Sequence, residues 1–218
     1  MTEPSSPRTQ NPRGEGAWLR NDLLEAALHV VDREGAGALA LRAVAREAGV
    51  TAPSIYRHFT NLNALVTAVV AACFGELAEQ ICRGRDAEQG AVDRLLGCCR
   101  GYLRYAAQHP HRYAALFGRT TASADSDGPV TGELAFDLLV DAVDAVSAVD
   151  GVTTSTRDVA TTIWVGLDGY ANLRVLRPRF PWPNEATMLH HLVLNHASPR
   201  GSTRVEHGDP PNWGGKYD

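Results

Sequence analysis

The sequence lacks an apolar run long enough to cross a membrane. A membrane-spanning helix needs about 20 apolar residues, whereas the richest stretch, residues 64–74, is shorter and contains Thr67. The first residues are polar and include prolines, without the apolar core of a secretory signal. We therefore expect a soluble protein of the cytoplasm with no membrane partner.

Proline is scarce in the first half of the chain and β-strand patterns are missing throughout. Between Pro12 and Pro129 the only prolines are Pro53 and Pro110, which leaves long stretches free of a residue that breaks helix interiors. Apolar residues in these stretches recur at helical spacing. The expected fold class is therefore all-α, with about nine helices.

Cysteines are few and do not form a recognisable pair. The chain has four, none at C-x-x-C spacing, and they are Cys73, Cys82, Cys98 and Cys99. Buried thiols in a reducing compartment are one interpretation. A redox-sensing regulator that uses these thiols is the alternative.

The sequence also lacks an excess of positive charge and the common catalytic motifs. Its 21 basic and 25 acidic residues give a net charge of −4, which excludes a protein that coats nucleic acid through bulk charge. The histidine pairs His109/His111 and His190/His191 have no third ligand at metal-binding spacing. There is no phosphate-binding glycine loop and no nucleophile elbow. We expect no metal, no cofactor and no enzymatic activity.

Three helices are predicted near the N-terminus, a longer one over residues 17–34 and two short ones over residues 41–48 and 52–59. Gly49 follows the second helix where a left-handed cap belongs, and Thr51 is a suitable N-cap for the third. Ile55 and Phe59 form an inward pair on the third helix, which leaves Ser54, Tyr56 and His58 to face outward. The second and third helices with their glycine turn predict a helix-turn-helix.

The longer string LRAVAREAGVTAPSIYRHFTNLNALV, residues 41–66, resembles the TetR/AcrR family of bacterial transcriptional regulators. The resemblance implies a three-helix DNA-binding domain followed by a helical domain for ligand binding and dimerisation. It also implies a homodimeric repressor that binds a pseudo-palindromic operator in double-stranded DNA. A small apolar effector then releases the protein from the operator. The corresponding boundaries are a flexible arm at 1–14, the DNA-binding domain at 15–61, the second domain at 62–197 and a disordered tail at 198–218.

The resemblance assigns DNA contacts to the second and third helices. The implied DNA-binding residues are Arg42, Thr51, Ala52, Pro53, Ser54, Tyr56, Arg57 and His58. Ser54 and its neighbours at the start of the third helix are expected to meet base edges, and Tyr56 and His58 to meet phosphates. Two positions depart from the family, which usually has lysine at Leu62 and often threonine at Ala40. Leu62 removes one expected phosphate contact per subunit.

Two later segments, HPHRYAALFG at 109–118 and IWVGLDGYANL at 163–173, look like one type of C-terminal domain in this family. Asp168 stands where that type has histidine. The residues predicted to line an effector pocket are Tyr102, Tyr105, His109, Tyr113, Phe117, Phe136, Trp164, Asp168 and Asn172, with ordinary core packing as the alternative. If Asp168 is buried, it needs a partner, for which Arg104, Arg174 and a cationic ligand are the candidates.

The resemblance further implies that the last two helices pair between subunits. Leu189, Leu192 and Val193 on the ninth helix are the predicted interface residues, and a position in the subunit's own core is the alternative. Two other function classes stay open, an all-helical enzyme and a pure interaction module. Turnover by the purified protein would reveal an enzyme, whereas an interaction module would dimerise without salt-dependent binding to its own upstream DNA.

Overall fold

The computed structural model describes residues 15–117, 132–150 and 155–197, and in these ranges the fold is all-α. The described part contains nine α-helices and one 3-10 turn, Ala36–Ala38. The helices are α1 Glu15–Glu34, α2 Leu41–Glu47, α3 Ala52–Ile55, α4 Leu62–Asp86, α5 Ala91–Gln108, α6 Pro110–Phe117, α7 Glu133–Asp150, α8 Thr156–Leu176 and α9 Glu185–Ala197. The predicted arm at 1–14 and tail at 198–218 lie outside the described residues.

The third helix is shorter than the sequence predicts. Its α-helical part ends at Ile55, and the chain continues as a tight turn in which the amides of His58 and Phe59 both donate to the Ile55 carbonyl, at 3.0 and 2.9 Å. Phe59 is 1% exposed, so the turn is anchored from within the core. The helix expected over residues 52–59 is therefore shorter, with α3 ending at Ile55 and residues 56–59 following it as a hydrogen-bonded turn.

A close crossing of α4 and α5 forms the centre of the larger helical part. Gly97 and Gly101 on α5 lie against the backbone of Gly84 and Gln80 on α4, and a Cβ at either α5 glycine would clash with those carbonyls. Glycine is therefore required at these two α5 positions, since only a residue without a side chain lets the backbones of α4 and α5 come so close together. The buried side chains around the crossing include Leu77, Ile81 and Leu95.

By length and hydropathy alone, α4 would pass for a membrane span, and it is the one such helix in the part of the chain that the structure describes. Its buried positions, among them Leu65, Val69 and Leu77, pack within the chain. The core helix of a helical bundle satisfies the same test. The apolar character of α4 is accounted for by its central place in the fold.

Candidate nucleic-acid interface and effector cavity

The turn between α2 and α3 has the geometry of a Schellman cap. Gly49 adopts a φ of 66°, the Val50 amide donates to the Ala45 carbonyl at 2.9 Å, and the Gly49 amide donates to Arg46 at 3.1 Å. A left-handed residue after the helix is what allows these two bonds. The glycine turn therefore fixes how α3 leaves α2, as the sequence predicts.

The recognition segment, residues 51–59, has one buried and one exposed side. Ile55 and Phe59 are 0% and 1% exposed, whereas Tyr56 is 53% exposed. The hydroxyls of Thr51 and Ser54 lie 2.9 Å apart and share a hydrogen bond. Thr51 occupies the N-cap position of α3 without a side-chain cap bond, so its hydroxyl is directed to Ser54 and not to the helix amides.

The predicted DNA-binding residues lie together on α2 and the recognition segment. Five are exposed, namely Arg42, Thr51, Pro53, Tyr56 and Arg57, and three are half-buried, namely Ala52, Ser54 and His58. Arg46 on α2 is exposed as well. The surface therefore combines guanidinium groups, hydroxyls and a phenol, which are groups that meet phosphates and base edges.

Both departures from the family pattern lie at helix starts. Leu62 is the first residue of α4 and is 39% exposed. Asn61 caps the same helix, because its side-chain oxygen accepts from the Ala64 amide at 2.8 Å. Ala40 holds the N-cap position of α2 in an extended conformation with no side-chain cap bond.

An ion-pair network that sequence reasoning missed joins α1 to the larger helical part. Arg112 on α6 donates to both carboxylate oxygens of Asp32 on α1, at 2.7 and 2.6 Å, and to Glu76 on α4 at 2.5 Å. His111 Nδ1 lies 2.8 Å from the Asp32 carbonyl oxygen, and Tyr105 donates to Glu76 at 3.1 Å. We call Arg112, Asp32 and Glu76 the Arg112 network.

Electrostatics in this network follow from the short bonds. Hydrogen bonds from Arg112 lower the pKa of Asp32, and those bonds raise the pKa of Arg112. The Arg112 side chain is 12% exposed, so the network is shielded more than a surface pair. No local sequence pattern could have indicated it, because Asp32 lies far from Arg112 in the chain.

Most of the predicted effector residues form one connected cluster. The Tyr113 hydroxyl lies 2.9 Å from the Tyr102 hydroxyl and donates to Asp168 Oδ1 at 2.6 Å. Asn172 Nδ2 donates to the same oxygen at 2.8 Å. The ring of Phe117 lies 6.1 Å from Trp164, which lies 5.7 Å from Phe136.

Tyr105 and His109 lie apart from that cluster. Their rings are 5.2 Å from each other, and the Tyr105 hydroxyl donates to Glu76 of the Arg112 network. Tyr105 is 0% exposed, so its ring belongs to the core. The expectation that Tyr105 lines the pocket is corrected, because its one polar atom is bonded to the Arg112 network.

Asp168 has different partners from those expected. Arg174 donates to the Tyr170 hydroxyl at 3.4 Å and lies over the Tyr170 ring, and Arg104 is exposed. Tyr113 and Asn172 instead donate hydrogen bonds to Asp168 Oδ1. The suggestion of an arginine partner for Asp168 is corrected for the described residues.

A cavity of about 520 Å³ opens beside this cluster, between α5, α6, α8 and the start of α9. Tyr113 and Asn172 are the two predicted residues that line it. The other lining residues are Leu103, Ala106, Ala107, Pro110, Ala114, Tyr170, Ala171, Arg174, Val175, Leu176 and Glu185. Four of the lining residues are alanines on three different helices, and no regular sequence spacing relates them.

The predicted interface residues on α9 point inward. Leu189 and Val193 are 1% and 0% exposed within a single chain, and Leu192 contacts the place where a Cβ of Gly166 would lie on α8. Buried side chains offer no surface to a second subunit. The interface prediction for Leu189 and Val193 is therefore corrected to the alternative, a position in the subunit's own core.

Exposed apolar residues instead follow one line on α8 and beyond its end. Val165, Leu173, Leu176 and Phe180 are 63%, 46%, 67% and 55% exposed, and Gly169 between them has open space at its Cβ position. Within α8, Val165, Gly169, Leu173 and Leu176 are three or four residues apart, which places them on one side of the helix, and Phe180 follows after the helix ends. We call this set the α8 stripe.

Three of the four cysteine thiols are poorly suited to peroxide sensing. Cys73, Cys98 and Cys99 are buried, and burial raises the pKa of the Cys73 thiol to about 11 and that of Cys98 to about 11. The reactive species is the thiolate, which a raised pKa disfavours.

In the described residues, no group of three His, Cys, Asp or Glu side chains is placed to hold a metal ion.

Comparison with known proteins gives the same picture from sequence. Residues 23–69 match the family model for bacterial regulatory proteins of the tetR family. Residues 95–196 match the model for a tetracyclin repressor-like C-terminal domain. The HTH-type transcriptional regulator Rv1816 of Mycobacterium tuberculosis is 28% identical over 175 residues, which cover 79% of this chain and 73% of that protein.

Solved structures share the fold at low identity. A protein of unknown function from Rhodococcus sp. RHA1 has a TM-score of 0.72 at 23% identity, over 89% of this chain and 100% of that one. The fatty acid degradation regulator FadR from Bacillus halodurans has a TM-score of 0.64 at 14% identity, over 84% and 97% of the two chains. At these identities the similarity concerns the fold.

Proposed function

This chain belongs to the TetR family of bacterial transcriptional regulators, which bind DNA through a helix-turn-helix, and from that premise we propose that it is a ligand-responsive repressor. In this proposal a homodimer in the cytoplasm occupies a pseudo-palindromic operator. A small, largely apolar molecule then binds the C-terminal part and lowers operator affinity. The protein has no enzymatic role in this proposal.

The observation that carries the DNA-binding part is the two-sided recognition segment. Ile55 and Phe59 hold it in the core while Tyr56 and Arg57 remain exposed. A recognition helix needs one side for packing and another for bases and phosphates. We assign base contacts to Ser54 and its neighbours and phosphate contacts to Tyr56 and His58.

We assign residues 15–61 to the DNA-binding domain and residues 62–197 to ligand binding and dimerisation. The α8 stripe supports dimerisation, since a row of exposed apolar side chains favours burial against a second copy. Two-fold symmetry then pairs two recognition segments. For binding in successive major grooves they must lie about 34 to 36 Å apart, one duplex turn.

The Arg112 network supports a route from the cavity to the DNA. Tyr113 lines the cavity, and the preceding residue, Arg112, is bonded to Asp32 on α1. A ligand that shifts α6 would therefore move Arg112 and change the position of α1. A hundredfold loss of operator affinity requires about 2.7 kcal/mol of coupling, which is within the allosteric range.

A mobility-shift titration tests the proposal. The full-length protein is titrated onto the promoter DNA next to its own gene at two salt concentrations, with a scrambled duplex of equal length as the control. We expect preferential binding to the promoter DNA and weaker binding at higher salt. Equal affinity for both duplexes would contradict specific operator binding. A fall in transcript level after deletion of the gene would contradict the repressor role.

A further inference from the structure

Two rows of side chains on α6 and α8 meet in an antiparallel arrangement beside the cavity. Tyr113 donates to Asp168 at 2.6 Å, and Phe117, one turn further along α6, lies 6.1 Å from Trp164, one turn back along α8. Asn172 extends the α8 row on the other side of Asp168. A half-buried carboxylate thus lies between an apolar aromatic end and a polar end.

The charge of Asp168 is not neutralised by a cation within the described residues. Both hydrogen bonds go to Oδ1, and both donors, the Tyr113 hydroxyl and the Asn172 amide, are neutral. Oδ2 accepts no hydrogen bond in the part of the chain that the structure describes. Neutral donors orient a carboxylate and leave its full negative charge, so a cation near Oδ2 would be attracted strongly in a half-buried site.

The aromatic rings beside Asp168 also favour a cation. Phe117, Trp164 and Phe136 follow one another with centroids 6.1 and 5.7 Å apart. The Phe136 ring already has a guanidinium, that of Arg157, 5.0 Å from its centroid. Aromatic faces attract ammonium and guanidinium groups because of their quadrupole, and tryptophan does so best.

The cavity supplies space for the apolar body of such a ligand. Its volume of about 520 Å³ is within the usual range for small-molecule sites, roughly 300 to 1,000 Å³. Tyr113 and Asn172 form part of its wall, and each donates a hydrogen bond to Asp168 Oδ1. Leucine, valine and alanine side chains supply much of the remaining lining.

We propose that the effector is an organic cation with an apolar body, an alkylammonium or quaternary ammonium compound, whose charged group binds Asp168 beside the Phe117 and Trp164 rings. The inference rests on the proposed ligand-responsive function and names the chemical class of its ligand. An anionic ligand would have to use Arg174 at the cavity rim, but that guanidinium is directed to Tyr170.

Three probes of equal chain length and different charge test this inference: octyltrimethylammonium, octanol and octanoate. Each is titrated into the full-length protein by isothermal titration calorimetry, below micelle-forming concentrations. We expect octyltrimethylammonium to bind about tenfold more tightly than octanol, since an ion pair and ring contacts are added. Octanoate should bind least. Equal affinity for the cation and the alcohol, or tighter binding of octanoate, overturns the proposal.

Two charge-removing variants locate the site. Asp168→Asn keeps an oxygen that accepts from Tyr113 and Asn172, so the fold should be preserved, and circular dichroism checks this. The preference for the cation over octanol should disappear in Asp168→Asn and persist in Glu185→Gln, which removes the same charge from the cavity lining. The reverse result would overturn the assignment to Asp168.

The calorimetric experiment uses no DNA, so a negative result for the cation site can be told apart from a negative result for operator binding. If octyltrimethylammonium binds through Asp168 and operator affinity in the mobility-shift assay stays unchanged, the ligand response is wrong and the cation site stands. If operator affinity falls with octanol or octanoate and the cation has no effect, the ligand response stands and the cation site is overturned.

Discussion

Arg112 on α6 binds both carboxylate oxygens of Asp32 on α1, and the two bonds are 2.7 and 2.6 Å long. Because a bidentate pair fixes orientation as well as distance, α6 and α1 cannot rotate against each other without breaking it. α1 in turn holds α2 through the Arg33 and Glu47 pair at 3.1 Å. The DNA-binding part is therefore connected to the cavity wall by a short series of polar contacts.

Removing the charge of Asp32 should reduce the ligand response more than basal DNA binding. In Asp32→Asn we expect operator affinity without effector to stay within about threefold, and effector-induced release to become weaker by about tenfold, since one of the polar links to α1 is weakened. Mobility-shift titrations with and without effector measure both quantities. Asp22→Asn, an exposed change on the same helix, is the matched control and should behave like the unmodified protein.

The same substitution should lower stability in a pH-dependent way. Arg112 lowers the pKa of Asp32 below its usual 3.8, so the pair stabilises the fold above that pH and the contribution is lost as pH falls through the folded-state pKa. Urea unfolding at pH 7 should give Asp32→Asn a deficit of about 1 kcal/mol, because Asp32 is partly exposed. The deficit should shrink below pH 3.8, and a deficit that grows on acidification would contradict the ion pair.

Tyr56 and Ser54 should affect DNA binding in different ways. Tyr56→Ala should weaken binding to every sequence by about tenfold, since a phosphate contact is lost in each subunit. Ser54→Ala should change the preferred base at one operator position by about 1 to 3 kcal/mol. Selection from a randomised operator library, followed by mobility-shift titration of the selected sequences, distinguishes the two effects. Identical behaviour of the variants would refute the assigned roles.

The helix-turn-helix was predictable because its determinants are local. The capping role of Gly49, the buried pair Ile55 and Phe59 and the exposed Tyr56 all follow from short-range spacing. The length of α3 was overestimated because a longer helix and a short helix followed by a hydrogen-bonded turn place Phe59 in the same buried position. Side-chain periodicity does not distinguish them.

The effector region was only partly predictable because its determinants are long-range. Helical spacing selects aromatic residues that face inward, but it does not say which polar atom each one meets. Tyr102 and Tyr105 both lie on α5, yet one bonds to Tyr113 and the other to Glu76. The positions of Leu189 and Val193 were ambiguous for the same reason, since helical spacing is the same for an apolar side chain that packs in its own core and for one that packs against a partner.

Restoring a basic residue at position 62 should strengthen DNA binding and its salt dependence. Leu62 is exposed at the start of α4, so Leu62→Lys introduces an ammonium without disturbing the core. One more phosphate contact per subunit steepens the logarithmic salt slope by about 0.9, or about 1.8 for a dimer. Leu62→Gln is the neutral control. An unchanged slope in Leu62→Lys would show that this position lies away from the phosphates.

Peroxide should leave operator binding unchanged. With a pKa of about 11, Cys73 and Cys98 hold roughly one thiolate in ten thousand molecules at pH 7. Mobility-shift titrations before and after peroxide treatment should therefore agree, and the variant with serine at all four cysteine positions should match them. A peroxide response that disappears in the serine variant would favour the redox-sensing alternative over the ligand response.

A charge in the α8 stripe should separate the subunits and weaken operator binding. Val165 is 63% exposed in the single chain, so Val165→Arg should leave the subunit folded while burying a charge in the proposed dimer contact, a costly change without a partner. Leu134→Arg is the matched control, because Leu134 on α7 is 64% exposed and lies outside the stripe. Sedimentation velocity should report a monomer for Val165→Arg and a dimer for Leu134→Arg. Loss of the second recognition segment then removes half of the DNA contacts, so binding to the full operator should fall to that of a half-site. A dimer that persists in Val165→Arg would move the interface away from α8.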